Sequence, residues 1–323
     1  MNGASWASPA GRRGVLLMAY GSPTSLEEVE PYYTHIRGGR RPSPQALQEL
    51  QERYRAIGGS SPLPAITQRQ ARALQARLGE GWQVYVGMRH WTPWIAEAVS
   101  RMAADGIREA VGVALAPQYS RMSVELYVEA AEAARRELGA HSLQVRYVRS
   151  WCRHPAFVRC WADRLARALA AEGFQQAHVL FTAHSLPERI LQWNDPYPQE
   201  LHDTCQAVAA ACGLERARWS FAYQSQGRTP EPWLGPTLEQ ALQELARQGL
   251  RRVVVCPVGF VADHLEVLYD IDIEARAAAL RLGMELARTE SLNDASDFIE
   301  ALAHVVTAAA AQVEEGLARA GGR

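Results

Sequence analysis

The 323-residue sequence is organised as an alternation of short apolar runs and longer stretches with helical spacing. The apolar runs fall at 14–20 (GVLLMAY), 82–88 (WQVYVGM), 109–116 (EAVGVALA) and 143–149 (LQVRYVR). A second set falls at 177–183 (AHVLFTA), 217–223 (ARWSFAY), 251–258 (RRVVVCPV) and 284–289 (MELART). Runs that are apolar throughout and bounded by turn residues predict strands buried on both faces. Between them, 66–78, 123–138 and 237–248 carry apolar residues on one helical stripe. Strand and helix in strict alternation predict parallel sheets assembled from right-handed βαβ units. The α/β chain therefore divides into two similar doubly wound domains, at 14–160 and 161–323, joined through a helical pattern at 155–172. A frayed tail is expected at 1–13. The Ala-rich helical segment 297–319 is expected to pack across both domains.

In open parallel sheets, ligands bind beyond the carboxyl ends of the strands. Those ends lie here at residues 18–22, 87–90, 116–120, 182–187 and 257–260, almost all with polar or aromatic residues beside Gly or Pro. The first strand leads into G-S-P-T rather than G-x-G-x-x-G, which removes the main support for dinucleotide binding. No G-x-S-x-G is present, so a nucleophile elbow is not expected. Composition removes further classes. All 34 basic residues are Arg, so there is no lysine for a Schiff base, a P-loop or a kinase-type phosphate contact. A net charge of −1 argues against a nucleic-acid footprint or a polybasic membrane surface. The apolar runs are too short to span a bilayer. The opening MNGASWASPAGRR lacks a signal-peptide core, so a cytoplasmic location is expected. Cys152, Cys160, Cys205, Cys212 and Cys256 are odd in number and form no C-x-x-C pair, which predicts free thiols.

Three groups of residues could carry chemistry. His184 ends the first strand of the second half and is followed by Ser185, Pro187 and Glu188, a turn into a helix start. The segment Asp263-His264-Leu265-Glu266-Val267-Leu268-Tyr269-Asp270-Ile271-Asp272-Ile273-Glu274 places Glu266, Asp270 and Glu274 at i, i+4 and i+8, on one face of an α-helix. Such a row is either a solvated face or a carboxylate track that passes a divalent cation inward, and oxygen ligands suit transient binding of iron or magnesium. The third group is basic and aromatic: Tyr32, Tyr33, His35, Arg37, Arg40, Arg41, Arg53 and Tyr54, then Gly58-Gly59-Ser60-Ser61-Pro62. Arg pairs bidentately with carboxylates, so around a cleft this group fits a flat, anionic, aromatic ligand.

The ordered motifs M-A-Y-G, Y-Y-T-H-I-R, R-Y-x-A-I-G-G-x-S-P-L, T-A-H-S-L-P-E, D-P-Y-P, Q-S-x-G-x-T-P-x-P-W-L-G-P and V-G-F-V-A-D-H-L-E-V-L-Y-D resemble those of the ferrochelatase family. The resemblance runs from about residue 14 to residue 306 and is nearest to the coproporphyrin III ferrochelatases of Gram-positive bacteria. It implies two Rossmann-like domains, each a four-stranded parallel sheet flanked by helices, with a porphyrin cleft between them. It further implies insertion of ferrous iron into the macrocycle. By this resemblance His184 and Glu266 face the metal on one side of the ring, and the Tyr20 phenol approaches it axially from the other. Tyr20, Arg37, Arg53, Tyr54, Ser61 and Tyr127 match positions that hold the substrate's carboxylate arms and edge. Asp270 and Glu274 match an outer metal site, where Mg2+ is a candidate occupant.

Tyr20 occurs in coproporphyrin-using relatives, whereas protoporphyrin-using ones commonly carry another residue there. Gly38 stands where relatives often place a second Arg, and Arg89 stands where some have Lys; Arg40, Arg41 or Arg89 could compensate. With no Cys after Cys256, the C-terminal iron–sulfur cluster of some relatives is not expected, nor is any permanently bound cofactor. The expected partners are coproporphyrin III, Fe2+ and a downstream coproheme-using enzyme, with no nucleic acid, no integral membrane contact and a monomeric state. The alternatives are a protoporphyrin IX ferrochelatase, a chelatase for another metal or tetrapyrrole, and a non-catalytic haem or porphyrin carrier.

Overall fold

The computed structural model describes residues 11–227 and 229–320. The first half runs β1 (Arg13–Ala19), α1 (Val29–Ile36), α2 (Pro44–Ala56), α3 (Leu63–Leu78), β2 (Trp82–Met88), α4 (Ile95–Ala104), β3 (Glu109–Ala114), α5 (Val124–Glu137) and β4 (Gln144–Val148). The linking helix is α6 (Pro155–Ala170). The second half runs β5 (His178–His184), α7 (Tyr197–Ala211), β6 (Trp219–Gln224), α8 (Leu238–Arg247), β7 (Arg252–Cys256), a π-helix (Glu266–Ala275), α9 (Arg276–Arg281), β8 (Glu285–Arg288) and α10 (Ser296–Ala320).

Every strand pair is parallel, and the sheets have orders β2-β1-β3-β4 and β6-β5-β7-β8. The second sheet thus repeats the winding of the first. The fold is α/β with two four-stranded Rossmann-like halves, as the alternation of apolar runs predicts. The central strands explain why that pattern is readable. Residues 15–19 of β1 and 178–183 of β5 are buried, covered by helices on both faces, so no polar alternation interrupts them.

The linker behaves differently from a domain boundary. Helix α6 crosses residues 160 and 161 without a break, and Phe157, Cys160, Trp161 and Leu165 are all within the main core. That core is continuous from β1 and β3 through α6 to β5, β7 and α10. Helix α10 packs against α3, α6, β3 and β4. Ion pairs Arg69–Asp294, Arg77–Glu300 and Arg164–Asp297 fasten its N-terminal part to the first half and to α6. The expected frayed tail falls, for residues 1–10, outside the described residues, whereas Arg13 already opens β1 by pairing with Trp82. Residues 266–275 depart from the expected α-helix by closing i→i+5 hydrogen bonds, a geometry that recurs at functional sites.

Close backbone approach gathers the strand ends. Arg89 N donates to Ala19 O at 2.9 Å and His90 N to Tyr20 O at 2.8 Å, so the turns after β1 and β2 are tied together. Gly259 N donates to Thr182 O, and a Cβ at Gly259 would lie 2.4 Å from Ala183 Cβ. Only glycine lets the turn after β7 lie this close to the end of β5. Among the described residues, no helix is long and apolar enough to cross a membrane.

Candidate active site

A cleft of about 1090 Å³ lies between the halves. It is lined from the first half by Tyr20, Arg37, Arg40, Arg89 and Tyr127, and from the second by His184, Trp233, His264 and Glu266, among others. The cleft lies at the carboxyl ends of the strands, since His184 is the last residue of β5 and Tyr20 directly follows β1.

His184 Nδ1 donates to the backbone oxygen of Ser185, which turns Nε2 toward Glu266 Oε1 at 3.4 Å. With Nδ1 already a donor, a neutral ring would set a lone pair against the carboxylate, so the pair is imidazolium and carboxylate. Burial disfavours charge on His184, but Glu266, the Ser185 carbonyl and Asp270 outweigh it and push the pKa up to about 9. Burial would likewise raise Glu266, yet His184 and His264 hold it well below the usual carboxylate range. His264 Nδ1 donates to Ala262 O at 3.0 Å, and its Nε2 lies 3.6 Å from Glu266 Oε2. Glu266 is therefore flanked by two imidazoles. Gln224 Nε2 donates to the Glu266 backbone oxygen and Tyr197 Oη to that of His184, fixing both segments from below.

Across the cleft Tyr20 presents 41% of its surface, large for an aromatic residue at a strand end. Its phenol is pushed up by burial within the cleft and by Glu266, with Arg89 opposing. Arg89 lies over the Tyr127 ring and Arg37 over Tyr33, so both guanidinium groups have their planes supported by aromatic faces. Gly38 has a φ of 65° and open space around its Cβ position, leaving Arg37, Arg40 and Arg89 as the cations that line this wall with Arg53.

Three expected contact residues occupy different surroundings. Tyr54 is 1% exposed, packs with Val29 and Leu265, shares a hydrogen bond with Ser22 Oγ at 3.1 Å, and contributes to the lining of the cleft. Ser61 is buried, and its Oγ accepts from Leu63 N at the start of α3. Arg53 is ion-paired with Asp270, lies 3.9 Å from Glu274 Oε2 and stacks over Tyr269, so its guanidinium is engaged by this chain's own carboxylates.

Arg53, Ser225 and Gln226 border both the cleft and a second cavity of about 770 Å³, which Asp270, Glu274, Glu49 and Glu52 line. The row Glu266–Asp270–Glu274 is thus divided: Glu266 opens on the cleft, the other two on the second cavity. Asp270 is also bonded by Ser225 Oγ. Burial pushes its pKa up to about 6; Arg53 opposes this and Glu266 adds to it. Sequence reasoning assigned His264 no role. Its only signal was adjacency to Glu266 within D-H-L-E.

Two like α/β halves with a cleft between them are the architecture that solved chelatases share. SirB from Bacillus subtilis, solved with Fe3+, superposes with a TM-score of 0.61 at 10% identity, covering 94% of this chain and 98% of its own, a likeness of fold. The chain belongs to the ferrochelatase family: that family's sequence model, described as Ferrochelatase, matches residues 12–310. A ferrochelatase of Herpetosiphon aurantiacus is 45% identical over 92% of this chain and 98% of its own length. A coproporphyrin III ferrochelatase of Halalkalibacterium halodurans is 44% identical over 93% and 98%. The chain is accordingly a metal-inserting lyase whose substrates are a porphyrin and iron.

Proposed function

We propose that the porphyrin is coproporphyrin III and the product its ferrous-iron complex. The observation that carries this reading is the cleft itself. His184 and Glu266 stand 3.4 Å apart on one wall, Tyr20 is open on the other, and Arg37, Arg40 and Arg89 surround the space between. Four propionates on a planar ring call for several cations around one flat slot, and Arg supplies planar donors for each carboxylate. Two relatives at 43–44% identity carry the coproporphyrin name, from Halalkalibacterium halodurans and Bacillus subtilis.

Metalation requires that iron shed water, that two pyrrole protons leave and that the ring bend to offer its lone pairs. Glu266, an anion held between two imidazoles, attracts the cation. A divalent charge arriving there would oppose the positive charge on His184, so the imidazolium would give its Nε2 proton to water in the cleft and regain a lone pair there. His184 can then bind the metal or take a pyrrole proton. Tyr20 supports the opposite face of the ring. Contacts to the propionates, remote from the reacting nitrogens, supply the binding energy that holds the ring distorted. The enzyme needs no permanently bound cofactor for this. Asp270 and Glu274 form an outer station for the incoming ion, where Mg2+ could also sit. We place the enzyme in the cytoplasm as a monomer that hands its product to a coproheme-using enzyme.

The test is an anaerobic metalation assay with ferrous iron, comparing coproporphyrin III with protoporphyrin IX. A kcat/KM at least tenfold higher for coproporphyrin is expected; preference for protoporphyrin would overturn the assignment. For Asp270→Ala combined with Glu274→Ala, the expected result is a severalfold rise in the KM for iron, with kcat at saturating iron within about threefold. Unchanged iron dependence would reduce the two carboxylates to partners of Arg53.

A further inference from the structure

The Tyr20 ring must be aimed at the face of the macrocycle that it supports. Tyr20 directly follows β1 and precedes Gly21, whose φ is 91°, and its side chain stands in an open cleft with 41% of its surface free. A tyrosine side chain on the wall of an open cleft has several rotamers open to it unless something fixes it. One histidine is placed to do so. The His90 ring lies 4.5 Å from the Tyr20 ring, centroid to centroid, tilted by 48°. Its backbone N–H donates to Tyr20 O at 2.8 Å, so the same residue grips both the main chain and the side chain of Tyr20.

His90 is itself held. It is 8% exposed, and its Nδ1 lies 3.1 Å from Nδ1 of His35, in the last turn of α1. His35 in turn packs at 4.8 Å on Trp94, at the N-terminus of α4. One Nδ1 must donate and the other accept, so the contact fixes the two imidazoles in complementary states and sets both ring planes. His90 borders the cleft only from behind, through Tyr20. Resting on the reading that Tyr20 faces the metal, we propose that His90, braced by His35, is a positioning residue that holds the Tyr20 phenol at the axial position of the porphyrin-bound iron.

Misplacing a reacting group by about 1 Å can cost on the order of a hundredfold in rate. His90→Ala removes the plate and the brace, and is expected to lower kcat at least tenfold with the porphyrin KM within twofold. His90→Phe restores the plate alone and should recover part of that loss. A spectroscopic readout separates aim from general stability. Ferric coproporphyrin III is added directly to each protein, and its visible and near-ultraviolet spectrum is compared with that of the Tyr20→Phe variant. The His90→Ala complex should move from the wild-type spectrum toward the Tyr20→Phe spectrum.

Should His90→Ala not fold, His35→Leu at the exposed end of α1 breaks the brace alone; it should lower kcat severalfold and move the spectrum in the same direction. A wild-type spectrum and a kcat within twofold in these variants would overturn the proposal, as would a porphyrin KM that rises in step with the lost rate. If wild type and Tyr20→Phe give the same spectrum, Tyr20 does not meet the metal. The proposal then falls together with the reading beneath it.

Discussion

His184→Ala should leave about a thousandth of wild-type turnover or less in the anaerobic metalation assay, with porphyrin binding still measurable by fluorescence quenching. The size follows from what the substitution removes. In the proposed mechanism the imidazole would exchange a proton or a metal bond with the substrate, and a positioned acid–base group is worth about a hundredfold to ten-thousandfold. It also leaves Glu266 without its nearer partner, 3.4 Å away, so the carboxylate on the cleft wall is flanked by His264 alone. The walls that would grip the macrocycle, with Arg37, Arg89 and Tyr127, are untouched, and affinity for the porphyrin should stay within a few fold. Turnover within tenfold of wild type would remove His184 from the reaction. Loss of porphyrin binding in parallel would make it a structural residue.

What the sequence could convey, and what it could not, divides along a physical line. The strands were legible because β1 and β5 are buried on both faces, which shows as unbroken apolar runs. Their carboxyl ends then pointed to Tyr20 and His184 without any contact being known. Less legible was anything decided by side chains meeting across the cleft. Arg53 reads as a cation for a ligand carboxylate, and nothing in its own segment says that Asp270, distant in sequence, will take it. Ser61 lies in the same motif but is buried against the α3 backbone, whereas Tyr54 lines the cleft with its hydroxyl on Ser22.

The helix at 266–275 was read at α spacing. Its i→i+5 closure changes which neighbours each carboxylate meets, and this period left no signal in the apolar pattern. His35 stands in the basic and aromatic group and His90 just beyond the end of β2, but their pairing shows only in the Nδ1 contact, because residues in different elements have no shared periodicity. The placement of α6 across the expected boundary has the same origin: its buried face serves the core of both halves, so composition shows no linker there.

Glu266→Gln should lower turnover by at least about a hundredfold and lower stability modestly near neutral pH, where the wild-type pair contributes. The isostere keeps the volume and can still meet His184 and His264, but it cannot draw a divalent cation to the ring or hold an imidazolium. The loss stays modest because His184, unlike an arginine, can shed its proton once the carboxylate is gone. No buried unpaired charge is then left behind, the usual reason that breaking a buried pair is severe.

The pH profile should report the same change. In wild type the His184 pKa stands at about 9, above the roughly 6.5 of an unfolded chain. Its contribution to stability is therefore full below pH of about 6.5 and declines as pH rises through about 9. Glu266, held low, contributes above its unfolded pKa of about 4.3 and loses that contribution as pH falls. In Glu266→Gln burial acts on His184 with its main opponent removed, so its pKa should fall and the alkaline decline should flatten. Urea unfolding from pH 6 to pH 9, with an NMR titration of the His184 ring, reads both effects. A variant that kept the wild-type alkaline slope and a His184 pKa near 9 would show that Glu266 is not what holds the proton, and the mechanism built on the pair would fail.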